Sequence, residues 1–103
     1  MKVIISPPAE KDIIRQFRYY LVDQDAPLVA LRYRQAVMDT VNSLPDNPGI
    51  GKPVESSIPG LRSWPVKGFE AVRIYYRELR GGLQIVRLIH GKRNVRARLQ
   101  STT

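Results

Sequence analysis

Cysteine is absent from the 103 residues, and histidine occurs once, as His90. The first absence excludes disulfides, iron–sulfur clusters, zinc fingers and thiol nucleophiles; the second excludes a multi-histidine metal site. No run approaches the ~20 apolar residues of a membrane span. The amino-terminal MKVIISPPAEKD lacks the apolar stretch and small-residue end of a secretory signal. A cytoplasmic protein with no cofactor, no metal and no membrane association is expected. Acidic residues are scarce in the carboxy-terminal part: after residue 60 only Glu70 and Glu78 occur. They are ~26 Å apart on one extended strand, too far to act as a carboxylate pair. Gly49 and Gly51 sit in a proline-rich turn, without the lysine and following helix that a phosphate-cradling loop requires.

What is present describes one globular domain over residues 1–103. Hydrophobic residues make up 43% and charged residues 25%, so the chain can bury a core and is not disordered. The formal net charge is +8, and its distribution is uneven. Residues 1–60 hold seven basic and seven acidic side chains, whereas residues 61–103 hold ten basic and two acidic ones. The whole excess therefore lies in the last 43 residues. A one-sided basic segment of this kind suits a polyanion or an acidic protein partner.

The pattern along the chain predicts strand, two helices, then strands. KVIIS at residues 2–6 is β-branched and apolar, a short strand. Ser6 followed by Pro7 and Pro8 is a helix start, because serine caps free amides and proline lacks only an N–H that has no partner there. Ala9, Ile13, Phe17 and Tyr20/Leu21 recur on one helical face to about Val22. A second helix begins near Ala26-Pro27 with Asp25 as its cap, carries the stripe Ala30, Tyr33, Val37, Val41 and Leu44, and stops at Leu44-Pro45. The proline- and glycine-rich stretch 45–60 is irregular. Leu61–Val66 is a strand that Pro65 pushes to an edge or interrupts. Glu70–Leu79 alternates, with Val72, Ile74 and Tyr76 on one face and Arg73, Tyr75 and Arg77 on the other. Arg80-Gly81-Gly82 is a hairpin turn, and Leu83–His90 is a central strand. The basic tail from Lys92 has room for one short helix.

The predicted class is α+β in the order β-α-α-β-β-β. A helical hairpin buries its two stripes on one face of a small twisted antiparallel sheet. The opposite face then keeps Arg73, Tyr75 and Arg77, joined by Arg62 and Arg87, as a concave, basic and partly aromatic surface. Trp64 is a core or groove-lining residue at an edge, or an anchor for a partner. One of Tyr75 and Tyr76 is core and the other faces a partner.

Four segments in order, IISPPAEKDI, LPDNPGIGKPV, LRSWPVKGFEAVRIYYREL and IVRLIHGKRNV, cover about 95 residues. Through them the chain resembles the ParE toxins within the ParE/RelE superfamily of bacterial toxin–antitoxin systems. The resemblance implies a cognate ParD-like antitoxin that wraps the toxin with an extended or helical carboxy-terminal segment, in a hetero-oligomeric complex. Ala30, Tyr33 and Val37 would pack in the core and partly face that segment. The resemblance also implies one of two targets. ParE-like members poison DNA gyrase, with no catalytic residues established; RelE-like members cleave mRNA on the ribosome.

The gyrase reading makes the protein a binding toxin with no catalytic residues. Its contacts with the antitoxin or with gyrase and its DNA would come from Trp64, Arg73, Tyr75, Arg77, Lys92, Arg93, Arg96 and Arg98. The endoribonuclease reading draws on Arg62, Lys67, Arg73, Arg87 and His90, with His90 as acid or base. Against it, no tyrosine follows His90, which is expected to hydrogen-bond at its strand end instead. A third reading is an inactive homologue kept only to bind antitoxin.

Overall fold

In the computed structural model, which describes residues 1–91 and 95–100, five strands form one sheet in the order β1-β5-β4-β3-β2. The elements are β1 (Lys2–Ile5), α1 (Pro7–Arg18), α2 (Pro27–Ser43), β2 (Lys52–Pro53), β3 (Arg62–Val66), β4 (Phe69–Leu79), β5 (Gly82–His90) and α3 (Val95–Gln100). The α+β class and the helical hairpin on a sheet are as expected. The sheet is mixed rather than antiparallel, because β1 runs parallel to β5 with Ile5 opposite Ile85. One short strand, β2, adds to the predicted set, and α3 is the short helix for which the tail had room.

Ser6 makes the turn from β1 into α1. Its Oγ accepts from the Ala9 N–H (3.2 Å) and donates to the Val86 carbonyl (2.8 Å), so one hydroxyl caps the helix and holds it to the sheet. Beyond Arg18 the chain widens into a π-helical turn, Tyr19–Asp23. Asp25 does not cap α2. It takes φ +47°, the left-handed conformation that short polar side chains tolerate, and Ala26 occupies the cap position with no side-chain bond.

The helices cover one face of the sheet. Tyr33, Val37, Val41 and Leu44 pack there on Val72, Ile74, Tyr76, Leu83, Ile85 and Leu88. Ala30, Tyr33 and Val37 are fully buried, so they face the core and no partner. The other face is covered as well. Ile58, Leu61, Tyr75, Val86, Ile89 and Leu99 form a second core there, supported by Val54 and Val95. A bulge on β5 makes this possible. Tyr75 pairs with Arg87 and Tyr76 with Ile85, leaving Val86 as the extra residue. Ile85 and Leu88 thus reach the helical core, while Val86 and Ile89 reach the second core.

The irregular stretch after α2 is clasped by Tyr76. Its Oη donates to the Pro48 carbonyl (2.8 Å) and accepts from the Gly51 N–H (2.9 Å). A Cβ on Gly51 would lie 2.5 Å from that oxygen, so only glycine fits. Pro65 sits where β3 bulges, past the reach of β2, so its missing N–H interrupts no ladder.

Burial pushes the phenols of Tyr33, Tyr75 and Tyr76 above the usual tyrosine range. The unfolded chain then loses these protons at lower pH than the folded one. Stability is therefore full below pH ~10 and falls as pH rises beyond it. Urea unfolding across an alkaline pH series should show this fall, with a shallower slope in Tyr33→Phe. A slope unchanged by that substitution would contradict the burial argument for Tyr33.

Candidate functional site

The cations of residues 61–98 are sorted by strand register. Arg62 lies opposite Tyr76, on the helical face, and its Nη1 donates to the Gly51 carbonyl at 2.8 Å. It braces the loop that Tyr76 clasps. Lys67 is exposed in the β3–β4 turn. Arg73 and Arg77 lie on the far face of β4, both half-buried. Arg73 Nη2 donates to Ser63 Oγ (3.0 Å) and Arg77 Nε to Gln84 Oε1 (2.9 Å). Neither meets a carboxylate among the described residues, so both charges remain uncompensated.

Tyr75 corrects the expected surface. It is 5% exposed, covered by residues from the 54–61 segment and α3, so the aromatic part of the predicted concave face is core. Both Tyr75 and Tyr76 are buried, one in each core. Trp64 points to the helical side, half-buried against the main core. On α3, Arg96 is exposed and Arg98 half-buried; Lys92 and Arg93 lie outside the described residues.

Arg87 is the second correction. Opposite Tyr75 in register, it starts from the expected face, but it is 8% exposed in a closed ion pair and adds nothing to an open basic surface. Its Nε donates to Asp12 Oδ2 (2.7 Å), its Nη2 to Asp12 Oδ1 (3.0 Å) and its Nη1 to the Arg98 carbonyl (2.7 Å). His90 is exposed at the end of β5, and the expected strand-end hydrogen bond is made instead by the backbone, Gly91 N–H to the Ala71 carbonyl (2.6 Å). Of the five candidate ribonuclease groups, Arg62 lies on one sheet face and Arg73 on the other. Lys67 is in a turn, Arg87 is tied to Asp12, and His90 sits at a strand end. The fold does not bring the five to one point.

The family model for the ParE toxin of the type II toxin–antitoxin system parDE matches residues 3–95. The chain belongs to the ParE toxin family. Eleven chains of solved structures also match. One, from a chromosomal ParDE system of P. aeruginosa, is 22% identical with a TM-score of 0.74, over 89% of this chain and 97% of that one. This likeness shows that the two share a fold. No curated protein sequence matches.

In this ParE toxin the residue that sequence reasoning missed is Asp12. It lies on the apolar stripe of α1 between Ala9 and Ile13, and a carboxylate on a buried stripe is itself the signal of a buried partner. Its Oδ2 also accepts from the Leu88 N–H (3.0 Å), and Arg15 Nη1 approaches Oδ1 at 3.8 Å. Asp12→Ala would leave a buried guanidinium without its counter-charge and the Leu88 N–H without its acceptor. The expected loss is about 3–5 kcal/mol in urea unfolding, most of it recovered in Asp12→Leu/Arg87→Met. A loss under ~1 kcal/mol in the single variant would show that the pair is not structural.

Proposed function

We propose that this ParE toxin inhibits DNA gyrase by binding rather than by catalysis, and that its antitoxin silences it by covering α1. The observation that carries the first part is the pair Arg73 and Arg77. They stand on the sheet with neutral partners, so their charge is available to a polyanion or an acidic protein surface. Family membership supports the target, and the dispersal of the candidate ribonuclease groups favours binding over cleavage. Lys67 and Arg96, both exposed, extend the positive surface.

For the antitoxin, the outer face of α1 supplies a groove of about 650 Å³ lined by Ile14, Tyr19 and Val22, with Lys11, Arg15 and Arg18 alongside and a single acid, Asp23, among the described lining residues. Ile14 is 51% and Val22 64% exposed, a large apolar area for one helix and turn. An amphipathic acidic segment would bury the apolar residues and meet the three cations.

Purified toxin added to a supercoiling assay should lower gyrase activity and accumulate cleaved DNA. Arg73→Glu/Arg77→Glu should raise the concentration for half-inhibition by about tenfold or more. Unchanged supercoiling with no cleaved DNA would refute the gyrase reading. Primer extension on translated mRNA tests the rival chemistry, and cuts abolished by His90→Ala would replace it.

Ile14→Asp/Val22→Asp should weaken the antitoxin complex by about tenfold or more while gyrase inhibition persists. Unaltered antitoxin affinity would move the docking site elsewhere.

A further inference from the structure

The outer face of α2 carries an apolar seam left open by the described residues. Leu28, Leu31 and Met38 are exposed there, the first two at 67% and 54%. Taken with Gln35 and Asn42, also exposed, they recur at spacings of three, four, three and four residues. With ~100° per residue the five fall within ~80° of one another, on the side turned away from the buried residues of the same helix.

That spacing is the seam of a two-helix coiled coil, in which Leu28, Gln35 and Asn42 take one core position and Leu31 and Met38 the other. Single exposed apolar residues need no explanation, but a contiguous seam at this period does. The flanking charges say what covers it. Arg32 and Asp39 stand on one side of the seam, seven residues or ~10 Å apart along the helix, too far to pair with each other. Neither is in an ion pair among the described residues. Asp39 Oδ1 accepts from Gln35 Nε2 (2.8 Å), and its Oδ2 is left for another donor.

A second α2, running antiparallel about a two-fold axis at Gln35, sets Leu31 on Met38 and Arg32 beside Asp39 of the other copy. The axis repeats both contacts on its far side. These charges complement themselves. A uniformly acidic or uniformly basic segment would meet Asp39 or Arg32 with like charge. That separates this face from the α1 groove, whose three cations outnumber its acid. Gln35, polar at the centre of the seam, fixes the register. Arg34 works against the pairing: it meets Arg34 of the other copy near the axis, and the two must splay apart.

We propose that the free toxin associates through α2 into a two-fold, antiparallel dimer. One helix per copy is a small interface beside those of stable complexes, so the dimer is weak, with a dissociation constant of about 10–100 µM. The proposal does not depend on the gyrase reading, because Arg73 and Arg77 lie on the far face of the sheet and stay open in monomer and dimer alike.

Sedimentation equilibrium of the purified chain at about 5–500 µM tests it, and a monomer–dimer equilibrium is expected. Leu31→Asp should weaken association by about tenfold or more and Arg32→Glu by about threefold or more. Both side chains are exposed, so the thermal melt at low concentration should not move. Arg32→Glu/Asp39→Arg should return association to within about twofold of the original chain, because it restores a contact between copies, which damage to a single helix would not do. Arg34→Gln should tighten the dimer by about twofold or more. Arg80→Glu makes the same charge change as Arg32→Glu, but in the β4–β5 turn, and should leave association unchanged. A chain that stays monomeric throughout overturns the proposal. So does a dimer that Leu31→Asp leaves intact, or a double variant no tighter than Arg32→Glu. A monomeric chain whose affinity for the antitoxin falls in Leu31→Asp would also overturn it and give the seam to the antitoxin.

Discussion

The Asp12 carboxylate completes the sheet edge that β1 leaves unfinished. β1 ends at Ile5, and the Ser6 N–H makes one more bond to the Ile85 carbonyl (3.0 Å) before the chain turns into α1. Beyond that point β5 has no strand neighbour on this side among the described residues, and its polar groups need other partners. The Ser6 hydroxyl takes the Val86 carbonyl, and Asp12 takes the Leu88 N–H, so two side chains of the α1 segment do the work of a longer strand. The same carboxylate neutralises Arg87, whose remaining nitrogen holds the Arg98 carbonyl of α3. Helix, sheet edge and carboxy-terminal helix are joined through one acid. A buried ion pair is a weak source of net stability but a strong constraint on register, because any other arrangement strands a charge.

Filling both faces of the sheet follows from the bulge beside that pair. A chain of this length has little interior, and two small cores bury more of a five-stranded sheet than one. The consequence for function is subtraction. The second core takes Tyr75 and Val86 away from the surface, and what remains of the predicted basic face is its rim, Arg73 and Arg77 beside the covering segment.

How much of this was legible depends on the range of the interaction. The helices α1 and α2, the alternation of β4 and the Gly81 turn came through because each is written within a few consecutive residues. The packing of the helical hairpin on one face of the sheet followed from the need to bury two apolar stripes. The parallel pairing of β1 did not, since its partner lies 80 residues away and nothing in KVIIS indicates direction. Stretch 54–61 has no periodicity, so its role as the lid of a second core was invisible, and with it the burial of Tyr75. Asp12 was visible as an acid on an apolar stripe, yet Arg87 was only one of ten cations that might have paired with it. The stripes of α1 and α2 are core, and the exposed Ile14 and Val22 lie off them.

The arrangement of the basic residues bears differently on catalysis and on binding. Phosphoryl-transfer chemistry needs its groups converged within a few tenths of an ångström on the reacting atoms, and displacement to opposite faces of a sheet is fatal to it. Attraction between charged surfaces sums over separations of about a Debye length, ~8 Å in physiological salt, and tolerates such dispersal. Arg73, Arg77, Lys67 and Arg96 satisfy the looser condition: none is in an ion pair among the described residues. Arg87, the residue of this set buried deeply enough to act in a closed site, is held by Asp12. Among the described residues Arg87 is the basic side chain that the interior accepts, and one acid from the balanced half neutralises it.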